Sequence, residues 1–238
     1  MTKALETYME DLAATARAAA RAMASASTEK KNTALKNAAA LIRSRANSIL
    51  SVNAEELEFA KAKGVADAFL DRMALNPERV ESIAVALEDI AALPDPVGKS
   101  IAKWSRPNGL EIERVRTPIG VVAIIYESRP NVTADAAAIA VKAGNAVILR
   151  GGSECIKTSK TLFDCLAEGL RRRACPPALR SLSRRLTAQC GRRAPLRSWR
   201  AHRSRHSRGG KSLVARAQAE ARALSLDGNC HGPMWIAR

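Results

Sequence analysis

The chain has 238 residues, enough for one sizeable core or two small ones, with 47% hydrophobic and only 3% aromatic residues. Its net charge of +16 would point to nucleic acid, but residues 1–170 hold 22 Lys and Arg against 21 Asp and Glu, while residues 171–210 hold 13 Arg and no Lys, Asp or Glu. No apolar run approaches the ~18 residues of a membrane span, and five cysteines without a C-x-x-C pair suit neither a zinc site nor a disulfide framework.

The N-terminus is Ala- and Arg-rich, yet Glu6, Glu10 and Asp11 and the lack of an apolar segment with a cleavage site argue against a targeting peptide, so the expected compartment is the cytoplasm. Residues 4–26 predict a helix with acids early and arginines later, in keeping with the helix dipole. A second helix is expected from Thr28 to about Ile49, with Leu35, Ala38, Ala39, Ile42 and Ala46 at helical spacing. Asn53-Ala54-Glu55-Glu56 has the reach of a capping box and predicts the start of a third helix, which Gly64 ends. Asn76-Pro77-Glu78 starts another, whose buried stripe is Val80, Ile83, Leu87 and Ile90. After Pro94-Asp95-Pro96, Ile101–Arg106 predicts a strand, Pro107-Asn108-Gly109 a type I′ hairpin turn, and residues 110–116 the returning strand. Glu111, Glu113, Arg114 and Arg116 suit a solvated edge.

Residues 119–154 organise the rest. Val121-Val122-Ala123-Ile124-Ile125 is apolar without alternation, the pattern of a strand buried on both faces of a parallel sheet. Residues 133–143 predict a helix that Thr133 can cap, Asp135 favours through its dipole, and Gly144 closes. Ala146–Leu149 predicts a second apolar strand, completing a β-α-β unit with a right-handed crossover. Ligands of such units bind past the C-terminal ends of the strands. Two polar loops are expected there, Tyr126–Asn131 and Arg150-Gly151-Gly152-Ser153-Glu154. In the second, glycines let backbone N–H groups approach a phosphate, Arg150 can pair with it bidentately, and Ser153 is expected to begin a helix whose N-terminus favours negative charge. The same residues also fit an ordinary strand-to-helix turn, since neither G-x-G-x-x-G nor a P-loop pattern is present.

From Ser153 to about Leu170 the chain again predicts a helix, with Ile156, Leu162, Phe163, Leu166 and Leu170 roughly on one side. Residues 171–207 then lose all periodicity. Two readings stand for this segment. It is either translated out of frame from GC-rich DNA, and then expected to be disordered, or a real Arg-rich insert that binds nucleic acid.

The words YESRPNVT, KAGNAVILRGGSE, RGGKSL and LDGNCH, in that order, resemble the γ-glutamyl phosphate reductases of the aldehyde dehydrogenase superfamily. The resemblance is continuous over residues 1–170 and returns in fragments over 208–231. It implies an α/β fold: N-terminal helices plus an incomplete Rossmann-like parallel sheet, residues 1–170 carrying the NADP-binding core and 208–238 a remnant of it. The implied activity is NADPH-dependent reduction of L-glutamate 5-phosphate to L-glutamate 5-semialdehyde in proline biosynthesis. A cysteine thiolate displaces phosphate and hydride then reduces the thioester.

By resemblance Asn131 is the oxyanion donor, although as a residue it could equally cap the following helix. Arg150 matches a basic residue that contacts the adenosine ribose, where an arginine suits the 2′-phosphate of NADP, and Gly151, Gly152, Ser153 and Glu154 complete that loop. Gly209, Gly210, Lys211 and Ser212 match a loop on the pyrophosphate side, whose placement needs a preceding strand that the sequence does not show. The family's nucleophilic cysteine lies beyond LDGNCH. Cys155, Cys165, Cys175, Cys190 and Cys230 match no nucleophile motif, and His202, His206 and His231 no general base, so negligible reductase activity is expected of this chain. The resemblance also implies a homo-oligomer built through the 101–116 hairpin, a small-molecule substrate and no metal.

Overall fold

A computed structural model describes residues 3–172 together with 179–181, 204–207 and 224–227. Two strands carry the organisation. β3 (Val121–Ile125) and β4 (Ala146–Arg150) run parallel, with Ile125 opposite Arg150. They are joined by helix α6 (Asn131–Lys142), which Gly144 closes at φ 72°. Three short strands extend the sheet: β5 (Leu179–Ser181) beside β4, β6 (Ser204–Ser207) beside β3, and β7 (Leu224–Asp227) beside β6. All pairings are parallel and the order is β5-β4-β3-β6-β7. This is a doubly wound sheet whose order reverses between β3 and β6.

The two faces of the sheet are covered by different helices, and side chains sort between them with the period of two that a strand imposes. Val121, Ala123, Ala146 and Ile148 pack against Met9, Leu12, Ala16, Ala19 and Ala20 of α1 (Lys3–Ala24). Val147 and Leu149 face the larger core, which unites α2 (Thr28–Ser44), α5 (Pro77–Ala92), α6 and α7 (Ile156–Arg171). Alanines at 134, 137 and 138 are fully buried and let α6 lie close to the sheet. Where α7 crosses α2, a Cβ on Gly169 would stand 2.7 Å from the backbone nitrogen of Ala38. No side chain fits there.

Several expectations change in detail. The second predicted helix breaks at Arg45, whose φ of −106° and ψ of 13° separate α2 from α3 (Ala46–Ala62). Asn53 therefore lies inside α3 and starts no helix. It is buried, donating to the Met73 carbonyl and accepting the Leu75 N–H, and so holds the connection that follows the short helix α4 (Asp67–Met73). Asn76 caps α5 as its sequence predicts, accepting the Arg79 N–H at 2.7 Å. Strands β1 (Ser100–Ser105) and β2 (Glu111–Val115) form the expected antiparallel hairpin. Its turn differs. Arg106 accepts the Gly109 N–H across Pro107 and Asn108, and proline at the first central position forbids the positive φ of a type I′ turn. The result is a three-residue loop whose Gly109, at φ 82°, supplies the left-handed step.

The sheet is also less incomplete than expected. β5 and β6 both lie inside residues 171–207, where composition suggests disorder, and β6 ends at Ser207, directly before the RGGKSL word in the sequence. The rest of that segment lies outside the described residues.

Candidate functional site

β3, β4 and β6 end at one edge. Ile125 sits opposite Arg150 on one side and Ser207 on the other, and the Tyr126 N–H donates to the Arg150 carbonyl at 3.0 Å. The loops after β3 and β4 therefore leave the sheet side by side, and β6 ends beside them, where the order of the sheet reverses. Gly209, Gly210, Lys211 and Ser212 follow directly on β6 but lie outside the described residues.

The loop after β4 is pressed against the loop after β3. A Cβ on Gly151 would meet the Tyr126 ring at 3.2 Å, and one on Gly152 would meet Glu154 Oε2 at 2.7 Å and the Glu127 carbonyl carbon at 3.4 Å. Ser153 donates its hydroxyl to Glu154 Oε1 at 2.7 Å, and Ser128 reaches Glu154 Oε2 at 3.5 Å. Arg150 is half-buried, and its guanidinium makes no hydrogen bond or ion pair among the described residues.

The structure corrects one part of the predicted anion site. Ser153 does not begin the next helix, which starts at Ile156. The N–H groups of Lys157 and Thr158 at its N-terminus are already taken by Glu56 of α3, at 2.7 and 3.0 Å, and the Thr158 hydroxyl joins them at 2.7 Å. A carboxylate from another helix occupies the place where a phosphate would bind. What remains for an anion in this loop is Arg150.

Asn131 is the first residue of α6, and Pro130 stands at the capping position, so neither Asn131 nor Thr133 is the cap. Thr133 is buried, its hydroxyl 2.6 Å from that of Tyr126, whose own ionisation burial pushes up to about 12. Asn131 donates from Nδ2 to Asp135 Oδ2 at 3.3 Å. Burial raises the Asp135 carboxyl above the usual range, and the bond from Asn131 only partly offsets this. Both side chains line a cavity of about 350 Å³ between α6 and the α4–α5 region, together with Arg72, Arg79 and Arg129. A smaller hollow of about 130 Å³ adjoins it, bounded by Phe69, Arg72, Tyr126, Ser128 and Arg129. Arg150 lines neither. The predicted residues thus fall into two neighbouring groups on one edge: Asn131 in the cavity, and Arg150 to Glu154 on the loop beside it.

Sequence reasoning missed Arg72 and gave Arg129 and Asp135 no ligand role. Arg72 sits on α4, which is too short to show a periodic stripe, and its guanidinium lies 5.4 Å from the Phe69 ring centroid. Cys155 and Cys165 are buried, as their lack of a motif suggests; burial pushes the Cys155 thiol up to about 12 and raises Cys165 also. A thiol so held is a core group and not a nucleophile. Among the described residues no cluster of His, Cys, Asp and Glu could hold a metal, and no helix is long and apolar enough to cross a membrane.

Residues 1–175 match the model of the aldehyde dehydrogenase family. The chain belongs to that family. Along most of its length it is similar to γ-glutamyl phosphate reductases. It is 49% identical over 241 residues to that of Afipia carboxidovorans, covering 95% of this chain and 54% of the relative. It is 53% identical over 225 residues to that of Beijerinckia indica, covering 90% and 50%. The crystal structure of γ-glutamyl phosphate reductase from Thermotoga maritima superposes with a TM-score of 0.82 at 35% identity, covering 92% of this chain and 52% of that one. The chain spans about half the length of the relatives it matches. The α/β fold expected from the sequence is that of the family.

Proposed function

We propose that the chain is the cofactor-binding portion of a γ-glutamyl phosphate reductase, an enzyme that reduces L-glutamate 5-phosphate to L-glutamate 5-semialdehyde in proline biosynthesis. The observation that carries this reading is the similarity to γ-glutamyl phosphate reductases over nine-tenths of the chain or more. The sheet edge supports it, because the residues matched to cofactor and oxyanion roles leave adjacent parallel strands together. The nucleic-acid alternative rests on residues 171–207 alone, and the relatives do not favour it.

The residues on the loop after β4 fit a nicotinamide dinucleotide. Two glycines stand where a Cβ would crowd Tyr126 and Glu154, and Arg150 has no hydrogen-bond or ion-pair partner among the described residues. Arg150 suits a 2′-phosphate by charge and by its forked donors, so the cofactor is NADP rather than NAD. When bound, NADPH supplies the hydride. Asn131, the match to the family's oxyanion donor, donates to an acyl oxygen as it gains negative charge, and Cys155 and Cys165, buried and protonated, leave the role of nucleophile to a residue other than themselves. The hairpin exposes Ile101, Trp104 and Leu110 and suits pairing with a second copy. We place the protein in the cytoplasm.

The test is a fluorescence titration of the full chain with NADPH and NADH. Saturable binding with NADPH preferred is expected. Binding of neither, or salt-dependent retention on DNA that vanishes on deleting residues 171–207, would overturn the reading.

A further inference from the structure

The cavity between α5 and the first turns of α6 carries charge of both signs that the rest of the fold leaves unused. Arg79 is committed, to Asp71 at 2.9 Å and to the carbonyls of Asp71 and Ala74 at 2.7 Å each. Arg129 makes no side-chain hydrogen bond or ion pair among the described residues, and Arg72 only its contact with the Phe69 ring. Asp135 is half-buried, and its one hydrogen bond is the long one from Asn131. Two guanidiniums and a carboxylate thus border one cavity without neutralising one another through any hydrogen-bonded pair.

That combination selects among ligands. A phosphate alone would be drawn to the arginines and repelled by Asp135. A simple aldehyde carries no charge and would leave both signs unanswered. A group with an ammonium and a carboxylate on one carbon answers both. Asn131 and Asp135 are four residues apart on one face of α6, and the Asn131 amide donates to Asp135 Oδ2 at 3.3 Å, so both groups meet the cavity at the same place.

We propose that this cavity holds the α-amino-acid head of the substrate, Asp135 accepting its ammonium and Arg72 and Arg129 its carboxylate, so that the side-chain carbonyl reaches Asn131. The inference rests on the function proposed above and adds to it the groups that read the substrate. Desolvation of Asp135 favours it further, since a cation brought to a carboxylate that burial disfavours regains what burial took away.

Calorimetric titration of the full chain with three stable methyl esters tests this. The probes are L-glutamate γ-methyl ester, glutaric acid monomethyl ester, which lacks the ammonium, and methyl 4-aminobutyrate, which lacks the α-carboxylate. The first should bind roughly tenfold tighter than either of the others. Asp135→Asn, nearly isosteric, should abolish the preference over the glutarate ester, and Arg129→Gln the preference over methyl 4-aminobutyrate. NADPH affinity should not change in either variant. A purely structural role would weaken all three esters and NADPH alike. The proposal is overturned if the unaltered chain does not distinguish the three esters, or if the preferences survive the substitutions. Should NADPH bind and no ester do so, the inference fails while the reading beneath it stands; should neither bind, both fall.

Discussion

Polar groups among the helices and polar groups at the sheet edge are treated differently by this fold. Lys31, Asn53, Glu56 and Lys142 are buried as deeply as the leucines around them, and all are bonded. Lys31 meets Asp95 at 2.5 Å, Lys142 donates to Asn32 at 2.5 Å and to the Ala91 carbonyl at 2.7 Å, Asn53 bridges Met73 and Leu75, and Glu56 takes three donors of the α7 terminus. At the edge, Arg72, Arg129 and Arg150 stay half-buried or exposed, and none of the three guanidiniums is paired with a carboxylate among the described residues. A buried polar group without a partner is costly, so those in the scaffold are satisfied internally. A cation left open on one edge of a doubly wound sheet costs the fold little and remains available to a ligand.

The largest way to break this division is at Glu56. Glu56→Ala removes three charge-assisted bonds at once and leaves the part-buried Lys157 N–H and the buried Thr158 N–H and hydroxyl proton without an acceptor. The expected loss is about 3 kcal/mol in stability, read from the urea midpoint at constant slope. Glu56→Gln keeps a side-chain carbonyl for the N–H groups and should lose about half as much. An unchanged midpoint for the alanine variant would mean that Glu56 is not the cap of α7.

Asp95 sharpens the comparison through pH. Burial alone pushes its carboxyl up, but hydrogen bonds from Lys31, the Thr28 hydroxyl and the Val97 N–H, with the Lys31 charge, outweigh it and hold the group below the ordinary carboxylate range. Its contribution is present above the unfolded-state value of about 3.9 and is lost as pH falls through the lower native one, since the unfolded chain then binds more protons. Asp135 is displaced the other way, so folding gains from it as pH falls. Asp95→Asn should therefore flatten the decline of the urea midpoint between about pH 5 and pH 2. A decline as steep as that of the unaltered chain would detach Asp95 from acid stability.

The same division explains what could be read without coordinates. The parallel pair was legible because Val121–Ile125 and Ala146–Leu149 are apolar without interruption, and Gly144 and Asn76 were legible as helix punctuation because each acts on its own neighbours. The break at Arg45 was not, since apolar spacing continues through Ala46 and Ile49 across it. Asn53 and Glu56 imitate a local capping box, whereas both act on distant segments, which no spacing rule reveals. β6 reads Ser-Arg-His-Ser and offers none of the apolar signal of an inner strand. At the site, Asn131 and Arg150 were singled out by resemblance, and the structure sets them at the start of α6 and the end of β4. Arg72 and Asp135 come together only because α4 and α6 border one cavity, and Asp135 by itself suggests no more than a helix dipole.

Arg150 gives the smallest effect on the fold and the sharpest one on the division. Its backbone carbonyl accepts the Tyr126 N–H, which any residue would preserve, while its side chain makes no hydrogen bond or ion pair among the described residues. Arg150→Ala should therefore shift stability by no more than about 0.5 kcal/mol. On the function proposed above, NADPH affinity should fall roughly tenfold, through loss of the proposed charge-assisted pair with the 2′-phosphate. NADH, which lacks that phosphate, should bind as before, so the preference between the two cofactors collapses. Arg150→Lys should fall between, keeping the charge without the forked geometry. If Arg150→Ala instead lowers the urea midpoint and leaves the cofactor preference intact, Arg150 belongs with the scaffold residues, and the cofactor must be read by another group at the same edge.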